Sequence, residues 1–251
     1  MKSLVTLIIG TEAVLVEELR KKLGGLKEMP LNAATNILDS YLISWGPECV
    51  MVLARGRYGL IETTKVVTAF ALNSLSPSLI IHVGTAGYTG TDIQVGEIAV
   101  ATSSLQWDLN LNDPNFGIGE LPGVKRGNPV PADLHQFLPA EVKKARLLSG
   151  NRIVDVVRDG DNSKLPGGIR SLITGTPPNH ALVDMEGEAV LNVASTFGVD
   201  AFCLRVVLSN ETGASYDQNG LLISSARNMA EVVCSILANL GRGGPGKVVK
   251  I

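Results

Sequence analysis

The sequence predicts an α/β fold: a three-layer α/β/α arrangement with a mixed, largely parallel central sheet, built from residues 1–251 as a single domain. Three observations carry this expectation. Continuous aliphatic runs at Ser3–Ile9, Leu79–Val83 and Ala201–Leu208 have the unbroken apolar character of strands buried on both faces. Between them lie segments whose apolar residues recur at helical spacing. No internal repeat and no linker divides the chain.

Each element has its own residue-level reason. The first strand, Ser3–Ile9, ends at Gly10. The next segment, Glu12–Leu23, sets Val14, Leu15, Leu19 and Leu23 at helical spacing, and Gly24-Gly25 stops it. Tyr41–Trp45 and Cys49–Ala54 read as two strands joined through Gly46-Pro47. Ile61–Leu75 is helical, with Lys65 and Thr68 on its polar side. Leu79–Val83 runs into Gly84-Thr85-Ala86-Gly87, which reads either as a tight turn or as a loop where a backbone approaches a ligand closely. Gly96–Thr102 is another strand. Trp107–Pro131 is dense in Gly, Pro and Asn and too long for an idle connection, the character of a functional lid or wall. Pro131–Leu138 opens a short helix, and Ala145–Ser149 and Arg152–Val157 are strand-like. Asp159–Pro178 is polar and glycine-rich, and is read as partly mobile. Ala181–Val183 ends a buried strand, Ala189–Phe197 is helical, and Leu221–Leu240 is a long amphipathic helix.

Composition excludes several classes of function. The chain is 45% hydrophobic but only 4% aromatic, so its core is aliphatic. A net charge of -2, with no basic block longer than Arg20-Lys21-Lys22, argues against a nucleic-acid partner. Cys49, Cys203 and Cys234 lack metal-ligand spacing and suit a reduced, cytoplasmic setting. No run of ~18 apolar residues is present, and the N-terminal run reads as a strand rather than a leader, so no membrane partner is expected.

In such sheets ligands bind beyond the carboxyl ends of the strands, and the polar clusters after Val83, Val183 and Leu208 fall there. The stretch Val183-Asp184-Met185-Glu186-Gly187-Glu188-Ala189 places three acids at a strand-to-helix junction. One reading is capping, with Asp184 as N-cap and a Glu complementing the helix dipole. The other is a carboxylate aimed at a ribose diol. Arg205, inside a buried strand, reads as a structural ion pair with Asp184 or Glu186 as its partner.

Five stretches together resemble the purine nucleoside phosphorylase and nucleosidase superfamily over most of the chain: His82-Val83-Gly84-Thr85-Ala86-Gly87, Val95-Gly96-Glu97-Ile98 with Thr102–Asp108, Ser149-Gly150-Asn151, Val183–Gly187, and Leu204-Arg205-Val206-Val207-Leu208-Ser209-Asn210. The branch in question includes methylthioadenosine/adenosylhomocysteine nucleosidase, futalosine hydrolase and uridine phosphorylase. The resemblance implies a small-molecule nucleoside substrate, no metal or organic cofactor, and a homodimer or higher homo-oligomer. It places Gly84, Thr85, Ala86 and Gly87 against the ribose and the nucleophile, Met185 on the sugar face, and Glu186 on the 2′- and 3′-hydroxyls. It also assigns Ser209, Asn151 and Trp107 to the substrate site. A carboxylate there stabilises the oxocarbenium charge that develops as the N-glycosidic bond breaks. Trp107, Phe116 and Tyr88 are the aromatic candidates for the base or a 5′-substituent, and Asp108 resembles a wall position.

Three departures from the family pattern sharpen the expectation. Asn210 stands where adenine-specific members carry a proton-donating Asp; an amide donates a hydrogen bond but no proton, which suits a 6-oxopurine. The arginine-bearing phosphate loop after the first strand is replaced by Gly10-Thr11-Glu12-Ala13-Val14, and the arginine before the second glycine stretch by His82. Glu12 can orient or deprotonate water or simply begin a helix, and the position matching the nucleosidases' catalytic glutamate is Leu15. The expected function is therefore an N-ribosyl hydrolase of a purine nucleoside, 6-oxopurine or 5′-modified, with Asn210, Glu186 and Glu12 catalytic. The alternatives are a phosphorylase, for which Arg57 is the available cation, and a catalytically weak nucleoside-binding relative.

Overall fold

Three strands form the spine of the fold. In β1 (Leu4–Gly10), Leu7, Ile8 and Ile9 are all buried, as an aliphatic strand covered on both faces requires. β4 (Cys49–Arg55) and β5 (Leu79–Tyr88) pair with β1 in parallel, one on each side. This computed structural model describes residues 4–24, 27–28, 38–44, 49–72, 76–113, 115–120, 128–130, 132–152, 154, 166–173, 180–211, 213–214 and 218–241.

Among those residues the strands belong to one mixed sheet. β2 (Lys27–Glu28) and β3 (Asp39–Ser44) extend the β4 edge. On the other side of β5 come β6 (Ile98–Gln106), β7 (Asn128–Pro129), β8 (Lys143–Ser149), β9 (Ala181–Asp184), β10 (Asp200–Asn210) and β11 (Gly213–Ala214). β10 pairs with β5 and with β6, and the path β6–β8–β9 returns to β5. Five strands thus close into a ring, and the open half of the sheet hangs from β5. Most long pairings are parallel, and the antiparallel ones other than β3–β4 are short.

Helices cover this sheet in two pairs. α1 (Ala13–Leu23) packs on α5 (Gln218–Asn239), and α2 (Leu60–Leu72) packs on α4 (Gly187–Phe197). α1 buries Leu15, Val16, Leu19 and Leu23 and stops at Gly24, whose φ of 72° is the left-handed cap that favours glycine. α5 is long and apolar enough to cross a membrane. However, it buries Ala226, Met229, Ala230, Val233, Ile236 and Leu237 in the core, so its apolar face is already used.

The sequence expectation differs from the structure in places. Gly84–Gly87 is neither a turn nor a loop, because β5 continues straight through it to Tyr88. None of its glycines has positive φ; β10 pairs with the whole stretch on one side, and on the other β9 pairs from Gly87 onward. The glycine-rich region after Asp159 holds a helix, α3 (Gly167–Ile173), whose Ile169 and Ile173 anchor a second small core. Pro131–Leu138 does open a short helix, of the 3-10 kind, at Ala132–Phe137. Most of the strand expected at Arg152–Val157 lies outside the described residues, and Arg152 itself sits in a bend.

Candidate active site

Ring closure brings the polar strand ends together. Gly87 is paired with Val183 of β9 on one side and with Ser209 of β10 on the other. β9 runs antiparallel to β5, so its acidic end arrives from the opposite direction, and only the extra length of β5 lets the two meet. In β10 the register shifts between Val207 and Ser209, leaving Leu208 as an extra residue. Such a bulge bends the strand and re-aims the residues beyond it, here Ser209 and Asn210.

The three acids of the β9–α4 junction have three separate roles. Asp184 is the capping and ion-pairing group: Oδ2 accepts the Gly187 N–H at 2.9 Å and the Arg205 guanidinium at 2.6 and 2.8 Å. Its other oxygen accepts the Ser149 hydroxyl. Breaking such a buried pair from one side costs about 3–5 kcal/mol, which ties Arg205 to the fold. Glu188 points inward and accepts the Ser104 hydroxyl, and its own N–H donates to Ser149 Oγ at 2.9 Å. Glu186 holds the N-cap position of α4 but its side chain makes no capping bond. Instead Oε1 accepts the Gly59 N–H at 3.1 Å, and Oε2 takes no hydrogen bond from any described residue. Burial and the nearby Asp184 push the Glu186 carboxyl up to about 7, against the opposing pull of Arg205 and the Gly59 N–H.

Glu12 joins this group across the sheet. Its side chain makes no cap for α1. Oε1 accepts the Thr85 hydroxyl at 2.7 Å and Oε2 the Thr11 hydroxyl at 2.8 Å. The charges of Glu12 and Glu186 both bear on Tyr58, whose hydroxyl is pushed upward by burial and then by these two carboxylates. Leu15, at the position matching the family's catalytic glutamate, is fully buried in the core. These links gather Glu12, Thr85, Tyr58, Gly59 and Glu186 into one cluster at the strand ends, the candidate crevice, with Met185 half-buried next to Glu186 in the chain.

Gly59 and Tyr58 carried no signal in the sequence beyond one more glycine turn. Gly59 has φ of 100°, which demands glycine, and its hydrogen bond to Glu186 spans 127 positions.

The other candidates lie further round the strand ends. Asn210 is fully buried at the end of β10, and its Nδ2 donates to the Ile93 carbonyl at 3.0 Å. Ser209 is half-buried beside Gly87. Asn151 is exposed in a bend, where its N–H donates to Asp108 at 2.7 Å. Asp108 also accepts from Gln106, so it organises the turn. Contrary to the sequence expectation, Trp107 is 2% exposed and packs in the second core with Leu148, Ile169 and Val183 rather than presenting a face to a ligand. Gly150 makes room for it, since a Cβ there would lie 2.4 Å from the indole nitrogen, and the Arg152 guanidinium covers the ring at 5.4 Å. Tyr88 is also buried, donating its hydroxyl to Asp92 at 2.7 Å.

Cations in this region are largely committed. Arg205 is bound to Asp184, and Arg55 pairs with Asp39 at 2.6 Å. His82 is not a phosphate ligand, because it is fully buried and its Nδ1 meets Arg205 Nη2 at 2.9 Å. Burial and the Arg205 charge hold it well below its ordinary value, hence neutral.

The sheet closes on itself through five strands and gathers two carboxylates at its converging strand ends, where α/β sheets bind their ligands. The profile of the phosphorylase superfamily matches residues 5–163, and the chain belongs to that superfamily. It is 26% identical over 177 residues to the 5′-methylthioadenosine/S-adenosylhomocysteine nucleosidase of Actinobacillus succinogenes, covering 69% of this chain and 74% of the relative. The Helicobacter pylori enzyme of that name superposes with a TM-score of 0.79 at 19% identity, over 95% of this chain and 99% of the other. The futalosine hydrolase of Helicobacter pylori does so at 0.77 and 19%, over 94% and 98%.

Proposed function

We propose that the protein is an N-ribosyl hydrolase that cleaves the N-glycosidic bond of a 5′-modified purine nucleoside without cofactor. The observation that carries this is the pairing of two carboxylates, Glu186 and Glu12, in a crevice whose nearby arginines 55 and 205 are already neutralised. An acidic crevice repels phosphate dianion and favours water. Glu186 accepts the sugar hydroxyls and stabilises positive charge on the ribose, while Glu12, held by Thr11 and Thr85, orients the attacking water. Nucleosidases and a futalosine hydrolase among the relatives support the same chemistry, and one neighbouring nucleosidase structure carries 5′-methylthioadenosine in its active site. The reading includes a three-layer arrangement, supported by the α1–α5 and α2–α4 pairings, and extends to a homodimer or higher homo-oligomer.

The test is incubation with inosine, futalosine and methylthioadenosine, with and without phosphate. Free base is expected at the same rate in both conditions. A saturable rise in rate with phosphate, together with ribose 1-phosphate as product, moves the assignment to a phosphorylase. Arg57, exposed and without an ion pair among the described residues, is then the cation to examine.

The base reading rests on Asn210 at the end of β10, one residue beyond the contact with Gly87. An amide steadies N7 by hydrogen bonding but delivers no proton, so a 6-oxopurine, which leaves as a stabilised anion, is preferred to adenine. Asn210→Asp is expected to shift kcat/KM towards adenosine-type substrates and to add a limb to the pH–rate profile. Equal base preference in parent and variant removes the 6-oxopurine assignment.

A further inference from the structure

Glu186 reaches the crevice from a short turn between β9 and α4, and that turn is held by a group the hydrolysis reading does not use. Arg205 is wholly buried. Its Nε and Nη2 donate to a single oxygen, Asp184 Oδ2, at 2.8 and 2.6 Å. That oxygen also takes the Gly187 N–H at 2.9 Å, so one carboxylate ties β10 to the first residue of α4. Nη1 donates to the carbonyls of Leu204 and His82 at 2.9 and 3.3 Å, and Nη2 meets His82 Nδ1. With His82 neutral, Nδ1 is free to accept. Of the two motif glycines beside the guanidinium, only Gly187 is crowded. A Cβ on Gly84 would lie 3.5 Å from the guanidinium, and one on Gly187 would lie 3.0 Å from Nη2 and 2.2 Å from Leu147.

We propose that Arg205 is a positioning residue for Glu186: through Asp184 it fixes the turn that carries Met185 and Glu186, and so sets where the carboxylate meets the sugar hydroxyls. This rests on the sugar reading of Glu186. The turn is anchored at both ends, by Asp184 on β9 and by Gly187 on α4, and both anchors share the oxygen that Arg205 holds. Only a planar fork makes two bonds to that oxygen while its other nitrogen serves backbone carbonyls; an ammonium carries the same charge without the fork. The Arg205 charge also draws the Glu186 carboxyl downward, against the larger upward push of burial and Asp184.

The test compares kcat/KM for a purine ribonucleoside and its 2′-deoxy counterpart, across pH, in the parent, Arg205→Lys, Ser149→Ala and Glu186→Gln. Glu186→Gln is expected to erase most of the preference for the ribonucleoside. Arg205→Lys, folded by circular dichroism, is expected to lower that preference by about tenfold or more and to displace the acidic limb of the profile, since a small misplacement of a binding group is expensive. Ser149→Ala removes a gentler hold on Asp184 and is expected to lower the preference by roughly two- to fivefold. It decides the matter if the lysine variant does not fold. Folded variants with parental preference and an unmoved limb overturn the proposal and leave Arg205 purely structural. If Glu186→Gln itself keeps the ribose preference, the sugar reading fails, and this proposal fails with it. Loss of preference in Glu186→Gln alone sinks only the role of Arg205.

Discussion

Glu186→Gln is expected to leave a folded protein whose turnover falls by roughly 30- to 1,000-fold, equivalent to about 2–4 kcal/mol of transition-state stabilisation. The amide keeps the shape of the side chain, and its oxygen can still accept the Gly59 N–H. What it loses is negative charge beside the ribose, where positive charge grows as the glycosidic bond breaks. Parental kcat/KM in the folded variant would make Glu186 structural only. The pH profile gives an independent check. The Glu186 carboxyl is pushed up to about 7, so it is largely protonated below that pH and ionised above it. If the ionised form is the active one, kcat/KM rises with pH through about 7, and this limb vanishes in Glu186→Gln. The stability consequence has the opposite sign. A carboxyl whose folded value lies above its unfolded value contributes stability that is full below the unfolded value and is lost as pH rises towards 7. The parent should therefore lose stability over the range in which it gains activity, and thermal melting of parent and Glu186→Gln across pH 4 to 8 checks this.

Glu12→Gln is expected to lower kcat by about 10²- to 10⁴-fold with a smaller effect on KM, the loss typical of a missing general base. Glu12 begins a helix, and a helix-start acid would be dispensable. Its geometry argues otherwise, because both oxygens turn away from the α1 backbone and accept the hydroxyls of Thr11 and Thr85. Thr85 lies in the very stretch of β5 that passes the crevice. A glutamine accepts from one hydroxyl but presents an NH₂ to the other, and it cannot take a proton from water. Single-turnover measurements separate the chemical step from binding. An unchanged rate would return Glu12 to the helix-start role and send the search for the base elsewhere.

Much of the site was legible in the sequence because its residue types are locally unusual. An acid cluster at a strand end, an asparagine after a buried strand and a glycine stretch after another each stand out without any structure. The ion pair of Arg205 was legible too, since a buried arginine needs an acid and only two were near in the pattern. Trp107 misled because a loop aromatic reads as a ligand contact; its burial depends on Gly150 and on α3, which the glycine-rich sequence concealed. The Gly59 contact to Glu186 was illegible, because a backbone N–H carries no residue-type signal and its partner lies far away along the chain.

By itself the sequence determined the aliphatic strands, the helices between them, the glycine stop of α1, and the acid cluster at the β9–α4 junction. These depend on local periodicity and on residue type, which a linear chain displays directly. Only the tertiary structure decided that the sheet closes through β10, that Gly84–Gly87 is strand rather than turn, and which acid does what. Asp184, Glu186 and Glu188 are chemically near-equivalent in sequence. They are told apart by what each meets across the fold: a buried guanidinium, a backbone N–H at the crevice, and an internal serine.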